Sequence, residues 1–124
     1  MPKYDTTAIR AVALVGHGGA GKTTLAEVLL HRAGAIQARG SVERGSTVCD
    51  FDPQEKAAGH SLSSALANFS WEDMHVHLID TPGYPDFSGQ AIAALAGVET
   101  ALVVINAQTG IELATERMMK AAQA

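Results

Sequence analysis

The sequence is short of several things, and each shortage excludes a class of protein. Its single cysteine, Cys49, allows no internal disulfide and no thiolate metal cluster. That pattern belongs to a reducing compartment, so a cytoplasmic location is expected. The apolar stretch nearest the N-terminus, Ala11–Gly16, is far too short for a secretory core or a membrane span. Basic residues are outnumbered, 9 Lys and Arg against 13 Asp and Glu, which excludes a generally cationic nucleic-acid binder. The deficit is uneven: residues 1–48 carry six basic side chains against three acidic, and residues 49–124 carry three against ten. Positive charge is thus available locally in the first part, where it can meet phosphate. What the chain does have is 47% hydrophobic residues over 124 positions, enough for one compact core and too many for a disordered segment. Its 12 glycines follow no three-residue period, which excludes collagen.

Hydrophobic patterning divides the chain into alternating units. Ala11–Val15 reads as a buried strand ending at Gly16, followed by a glycine loop and a helix from Lys22 to Arg32 with Leu25, Val28, Leu29 and Arg32 on one face and Gly34 as its C-terminal cap. Periodicity fades over residues 35–61, which hold the acids Glu43, Asp50, Asp52 and Glu55; the last three read as a solvated loop face. A loop of that length inside a compact domain is usually functional. Leu66–Trp71 and His75–Ile79 then form an expected antiparallel hairpin around Glu72 and Asp73. Residues 88–97 read as a helix with Ile92 and Leu95 inward. Ala101–Ile105 reads as a strand, and 111–122 as a helix presenting Ala114, Met118, Ala121 and Ala122. The order β-α-loop-β-β-α-β-α implies an α/β fold, a mostly parallel sheet with helices on both faces and one antiparallel edge strand. This layering is a three-layer αβα sandwich. His75 and His77, at i,i+2, and Trp71 read as packing residues.

Gly16-His17-Gly18-Gly19-Ala20-Gly21-Lys22-Thr23 matches G-x-x-x-x-G-K-[ST] without a mismatch, and Thr24 follows. It lies between an expected strand and an expected helix, the context its chemistry needs. Glycines let consecutive backbone N–H groups curl around an anion, and the helix N-terminus adds its dipole. Lys22 then reaches the β- and γ-phosphates, and the Thr23 hydroxyl reaches Mg²⁺. His17 reads as a variable position within this cofactor-binding loop. Asp80 follows Lys22 by 58 residues at a strand end, where an open α/β sheet presents ligand groups. An acid there can hold Mg²⁺ through water, and Gly83 offers a backbone N–H to a γ-phosphate and can sense its loss. Three classes share the loop. P-loop kinases and repeat ATPases lack D-x-x-G, and partition-type ATPases carry a Lys at the place of His17. GTPases combine D-x-x-G with a long loop between the motifs, which fits both features.

These residues resemble the translational GTPases, above all elongation factor G and the elongation factor G-like proteins. The likeness rests on G-H-G-G-A-G-K-T-T at 16–24, C-D-F-D-P-Q-E from Cys49, Gly59-His60-Ser61, L-I-D-T-P-G-Y-P-D-F at 78–87 and A-L-V-V-I-N-A-Q-T-G at 101–110. The resemblance implies GTP binding and hydrolysis with Mg²⁺ on a ribosome, a first switch at about 35–65 and a second at about 80–90. Two departures stand out. Where the first switch of elongation factor G reads R-G-I-T, with its Thr on Mg²⁺ and γ-phosphate, this chain has Ala58-Gly59-His60-Ser61. Ser61 keeps the hydroxyl, so the metal set becomes Thr23, Ser61 and Asp80, and the arginine is missing. Where the family has a His after D-T-P-G to position the attacking water, this chain has Tyr84. A phenol can order a water but gains no proton near neutral pH, as an imidazole does. With Lys22, Gly83 and Tyr84 as the catalytic set, the expected hydrolysis is slow or depends differently on its activator.

Guanine selection in such GTPases comes from N-K-x-D and S-A-x motifs, and neither occurs in these residues. The chain therefore reads as a partial GTP-binding domain, 1–124, cut before its last strands. The expected consequences are weak nucleotide binding by the isolated chain and self-association through an exposed edge strand at 102–105. Two other readings stay open at this level: a partition-type P-loop ATPase, and a nucleotide-binding switch with little turnover.

Overall fold

The computed structural model describes residues 4–124. Strand β1 (Ile9–Val15) is central to a four-stranded sheet and leads through residues 16–21 into helix α1 (Lys22–Arg32). A short helix α2 (Pro53–Ala58) interrupts the long connection to the hairpin of β2 (Ala65–Trp71) and β3 (Met74–Asp80). Helix α3 (Ser88–Ala96), strand β4 (Thr100–Val103) and helix α4 (Leu113–Gln123) complete the order. The sheet runs β2-β3-β1-β4, parallel except for the antiparallel β2 edge. Helices flank it on both sides, as in a P-loop nucleotide hydrolase domain.

Alternation along β1 sorts the core into two layers. Leu14 faces α1 and packs with Ala26, Cys49, Ala65 and Leu78. Ala13 and Val15 face the other way, onto Ala91 and Ala94 of α3 and Met118 of α4. Because both faces are covered, the C-terminal half of β1 is wholly apolar and buried. Among the described residues no helix is long and apolar enough to cross a membrane.

Five sequence-based expectations change. The segment 35–61 is not uniformly irregular, because Asp52 caps α2, Pro53 occupies its first turn and Gly59 ends it at φ 70°. Asp50 and Glu55 are buried there, not solvated, whereas Asp52 is exposed. Ile92 points to solvent at 51% exposure; the inward stripe of α3 is Ala91, Ala94 and Leu95, whose small residues let the helix approach β1 closely. On α1 the buried set is Lys22, Ala26, Glu27 and Leu30, and Arg32 is exposed. Strand β4 also ends earlier than expected, at Val103. It is an edge of the sheet, with Leu102 and Ile105 each 42% exposed.

Candidate functional site

Parallel strands β1 and β3 end side by side, with Leu14 opposite Asp80, so the two sequence motifs meet at one edge of the sheet. The buried Thr81 hydroxyl fixes this juxtaposition by donating to the Leu14 carbonyl at 2.7 Å. Gly16 is required where the loop leaves β1, because a methyl there would overlap the carbonyl of Val104. Gly83 is required for the same kind of reason: its Cβ would run into the Lys22 ammonium and the backbone of His17 and Gly18.

Between these turns lies a cavity of about 280 Å³, room for a polyphosphate tail and its cation. Its wall includes Gly18, Gly19, Gly21, Lys22, Thr23 and Thr24 on one side, Gly83 and Tyr84 on a second, and Gly59, His60, Ser61 and Asp50 on a third. Gly16, His17 and Ala20 lie outside the wall, contributing backbone to the loop. The Lys22 ammonium donates to the carbonyls of Gly16 at 3.2 Å and His17 at 2.7 Å. Burial pushes its pKa down, and the carboxylate of Asp80 opposes that shift.

A cluster of oxygens adjoins the cavity: Thr23, Ser61 and Asp50 line it, and Asp80 lies behind Thr23, outside the wall. Thr23 Oγ1 donates to Asp80 Oδ2 at 2.6 Å and lies 3.3 Å from Ser61 Oγ, which itself donates to Asp50 Oδ1 at 2.6 Å. Asp80 is 1% exposed, and its second oxygen, Oδ1, has no hydrogen-bond partner. A buried carboxylate oxygen without a donor, among hydroxyls and a second carboxylate, is a hard oxygen set that fits Mg²⁺. Burial, reinforced by Asp50 and Glu55, pushes the Asp80 pKa up to about 6, against the Thr23 hydrogen bond and Lys22.

Two buried carboxylates outside the phosphate-binding motifs have clear tasks. Glu27, on the buried face of α1, accepts the backbone N–H groups of Gly40 and Val48. Glu55 accepts those of Leu62 and Ser63, both at 3.0 Å. Glu27 thus ties residues 40 and 48 to α1, and Glu55 braces the segment internally, joining α2 to residues 62 and 63. Glu55 was discoverable in D-P-Q-E, which has capping-box spacing; Glu27 had no local signal. The His17 ring, 2% exposed, turns away from the cavity to α4, with Nδ1 3.1 Å from Thr115 Oγ1 and Nε2 3.4 Å from Thr109 Oγ1 and 3.5 Å from Glu112 Oε1. Cys49 is a core residue, its thiol pushed up to about 12 by burial and then by Asp80, Glu27, Asp50 and Glu55.

Comparison with known proteins matches residues 7–124 to the family described as the Elongation factor Tu GTP binding domain. The mitochondrial ribosome-releasing factor 2 of Eremothecium gossypii is 38% identical over 121 residues, covering 97% of this chain and 14% of that protein. The elongation factor G-like protein of Mycobacterium tuberculosis is 44% identical over 110 residues, covering 89% of this chain and 15% of that protein. A crystal structure from Thermus thermophilus superposes with a TM-score of 0.91 at 42% identity, over 94% of this chain and 18% of that one. The chain thus spans about a seventh of the length of the curated relatives it matches.

Proposed function

The chain belongs to the elongation factor Tu GTP-binding domain family, and from that premise we propose that it is the nucleotide switch of an elongation factor G-like translation factor, binding GTP with Mg²⁺ and hydrolysing it to GDP and phosphate on the ribosome. The observation that carries this reading is the convergence of Lys22, Thr23 and Gly83 on one cavity, with Asp80 held behind its wall by the Thr23 hydroxyl and its second oxygen without a partner among the described residues. The names of the two curated relatives, a ribosome-releasing factor and an elongation factor G-like protein, support the ribosomal setting. The single cysteine supports a cytoplasmic place of work.

In this reading the backbone N–H groups of residues 18–23 and the Lys22 ammonium bind the phosphates and orient the γ-phosphoryl group. Thr23 and Ser61, with Asp80 through water, would hold Mg²⁺, which when bound would offset the charge on the phosphate oxygens. Gly83 offers its N–H to the γ-phosphate, and Ser61 brings the segment 35–65 down as the first switch. Loss of the γ-phosphate removes both attachments, which releases this segment and the second switch at 80–90. Tyr84 favours a second reading of the same site, a switch with little turnover, because no imidazole occupies that position. An open β4 edge also offers pairing to a second copy, which sedimentation would detect.

The test is equilibrium binding of GTP, GDP and ATP, followed by single-turnover hydrolysis with ribosomes, on the protein at its natural full length. Guanine-selective binding with ribosome-stimulated cleavage is expected. Equal or tighter ATP binding would establish the partition-type ATPase instead. Tight GTP binding without cleavage would establish the low-turnover switch, and a faster Tyr84→His variant would locate the cause.

A further inference from the structure

The two departures from the related motifs meet in space. His60 and Tyr84 stand in the same cavity wall, their ring centroids 4.2 Å apart with planes inclined by 40°. Phe87 flanks the imidazole at 6.4 Å. The Tyr84 ring in turn lies flat on the phosphate loop, so close that a methyl at Gly18 would sit 3.0–3.2 Å from three of its atoms. Tyr84 is therefore a platform between the loop and His60, and the imidazole it supports lines the cavity.

The tautomer of that imidazole follows from its partner. His60 Nδ1 lies 3.2 Å from the Ser61 carbonyl oxygen, and a carbonyl can only accept. Nδ1 thus carries the hydrogen, and Nε2 keeps a free lone pair. His17 cannot take this part, since both its nitrogens face α4. Among the described residues, His60 is the one imidazole in the cavity wall.

We infer that His60 orients the attacking water for GTP hydrolysis, its ring held in place by tilted packing against Tyr84. The inference rests on the hydrolysis reading above. Nε2 accepts a hydrogen bond from the water, turning the water's oxygen lone pair toward the γ-phosphorus. As the new oxygen–phosphorus bond forms, the bond from the γ-phosphorus to the β–γ bridging oxygen breaks, and that oxygen leaves with the electron pair on GDP. The water's proton passes to a γ-phosphate oxygen and departs with inorganic phosphate, so the imidazole undergoes no net change of charge. Because His60 adjoins Ser61, the water-orienting group arrives only when the Ser61 segment is docked. Cleavage is thereby tied to closure.

The deciding experiment compares wild type, His60→Phe and His60→Gln at natural full length, with ribosomes. Phe keeps the aromatic ring and loses the nitrogen; Gln loses the ring and keeps a hydrogen-bonding group. Single-turnover GTP cleavage is expected to fall about 100-fold in His60→Phe, the lower range for a positioned proton-handling group. His60→Gln is expected to retain roughly a tenth of the wild-type rate or more by the same reasoning. Nucleotide affinity, read on the same samples, should change by no more than about 2-fold, which also reports that each variant is folded. His60→Phe cleaving at the wild-type rate, or His60→Gln cleaving no faster than His60→Phe, would overturn the inference alone. A wild type that binds GTP but never cleaves it would overturn the hydrolysis reading and this inference with it.

Discussion

Residues 16–23 and residues 40–63 form facing walls of one cavity, yet different bonds hold them. The phosphate loop grows out of a fully buried strand end and is fastened by backbone: Val104 N–H donates to the Val15 carbonyl at 2.8 Å, and Leu25 N–H to Gly21 at 2.8 Å. The opposite wall is fastened by carboxylates. Glu27 holds Gly40 and Val48, Glu55 holds Leu62 and Ser63, and Asp50 holds Ser61. A loop tied into the core can open only by disrupting the sheet, whereas a segment tied by a few side chains can open locally for a few kcal/mol. The division suits a site in which one wall stays to bind phosphate and the other comes and goes.

The largest effect should appear on the fixed wall. Lys22→Ala is expected to weaken GTP binding by roughly 100- to 1,000-fold, the scale of losing one preorganised charge donor, without lowering the melting temperature of the nucleotide-free protein. Titration with a fluorescent GTP analogue and a thermal melt check both halves. A large fall in melting temperature would mean that the loop depends on its lysine for folding.

Next comes the charge between the walls. The native Asp80 pKa, near 6, lies above its ordinary value of 3.8, so between these values the folded state binds more protons than the unfolded one. Stability of the metal-free protein should therefore fall as pH rises through that window and level off above it, by up to about 3 kcal/mol. Asp80→Asn should remove this dependence and be the more stable form at pH 7.5 without Mg²⁺. Urea melts at pH 4.5 and 7.5 provide the measurement.

The movable wall should respond on a smaller scale. In Glu27→Gln a side-chain NH₂ faces one of two backbone donors, which costs about 2 kcal/mol. Hydrogen exchange at Gly40 and Val48 should accelerate roughly 30-fold, while amides of β1 keep their wild-type rates. Equal acceleration in β1 would erase the distinction between the walls. Smallest of all, GTP with Mg²⁺ should slow maleimide labelling of Cys49 by only a few-fold, about what a modest shift toward the closed segment provides. The thiol is already slow because it is buried and its pKa stands at about 12. Faster labelling in Glu27→Gln would tie that exposure to the movable wall.

Legibility in the sequence followed the same division. The positions of the phosphate loop and Asp80 and the order of elements along the chain could be read because each depends on neighbours in the chain: glycines beside a lysine, an apolar run, a proline after an acid. Glu27 could not, because a carboxylate on a helix normally faces water and its partners lie 13 and 21 residues away. His17 looked like a spare position because Thr115, its partner, is 98 residues distant. Ile92 misled through its size. The helix packs on alanines, and the register of its buried stripe moved by one residue.

Glu55 gives the movable wall its manner of motion. One of its oxygens receives Leu62 and Ser63, while the other receives Asp52 at the start of α2. The cap of the helix and the anchor of the following strand are thus a single carboxylate, with Ser61 suspended between them. Neither end can let go without loosening the other, so intermediate placements of Ser61 forfeit bonds on both sides. The segment is built to behave as a latch with two positions, not as a dial.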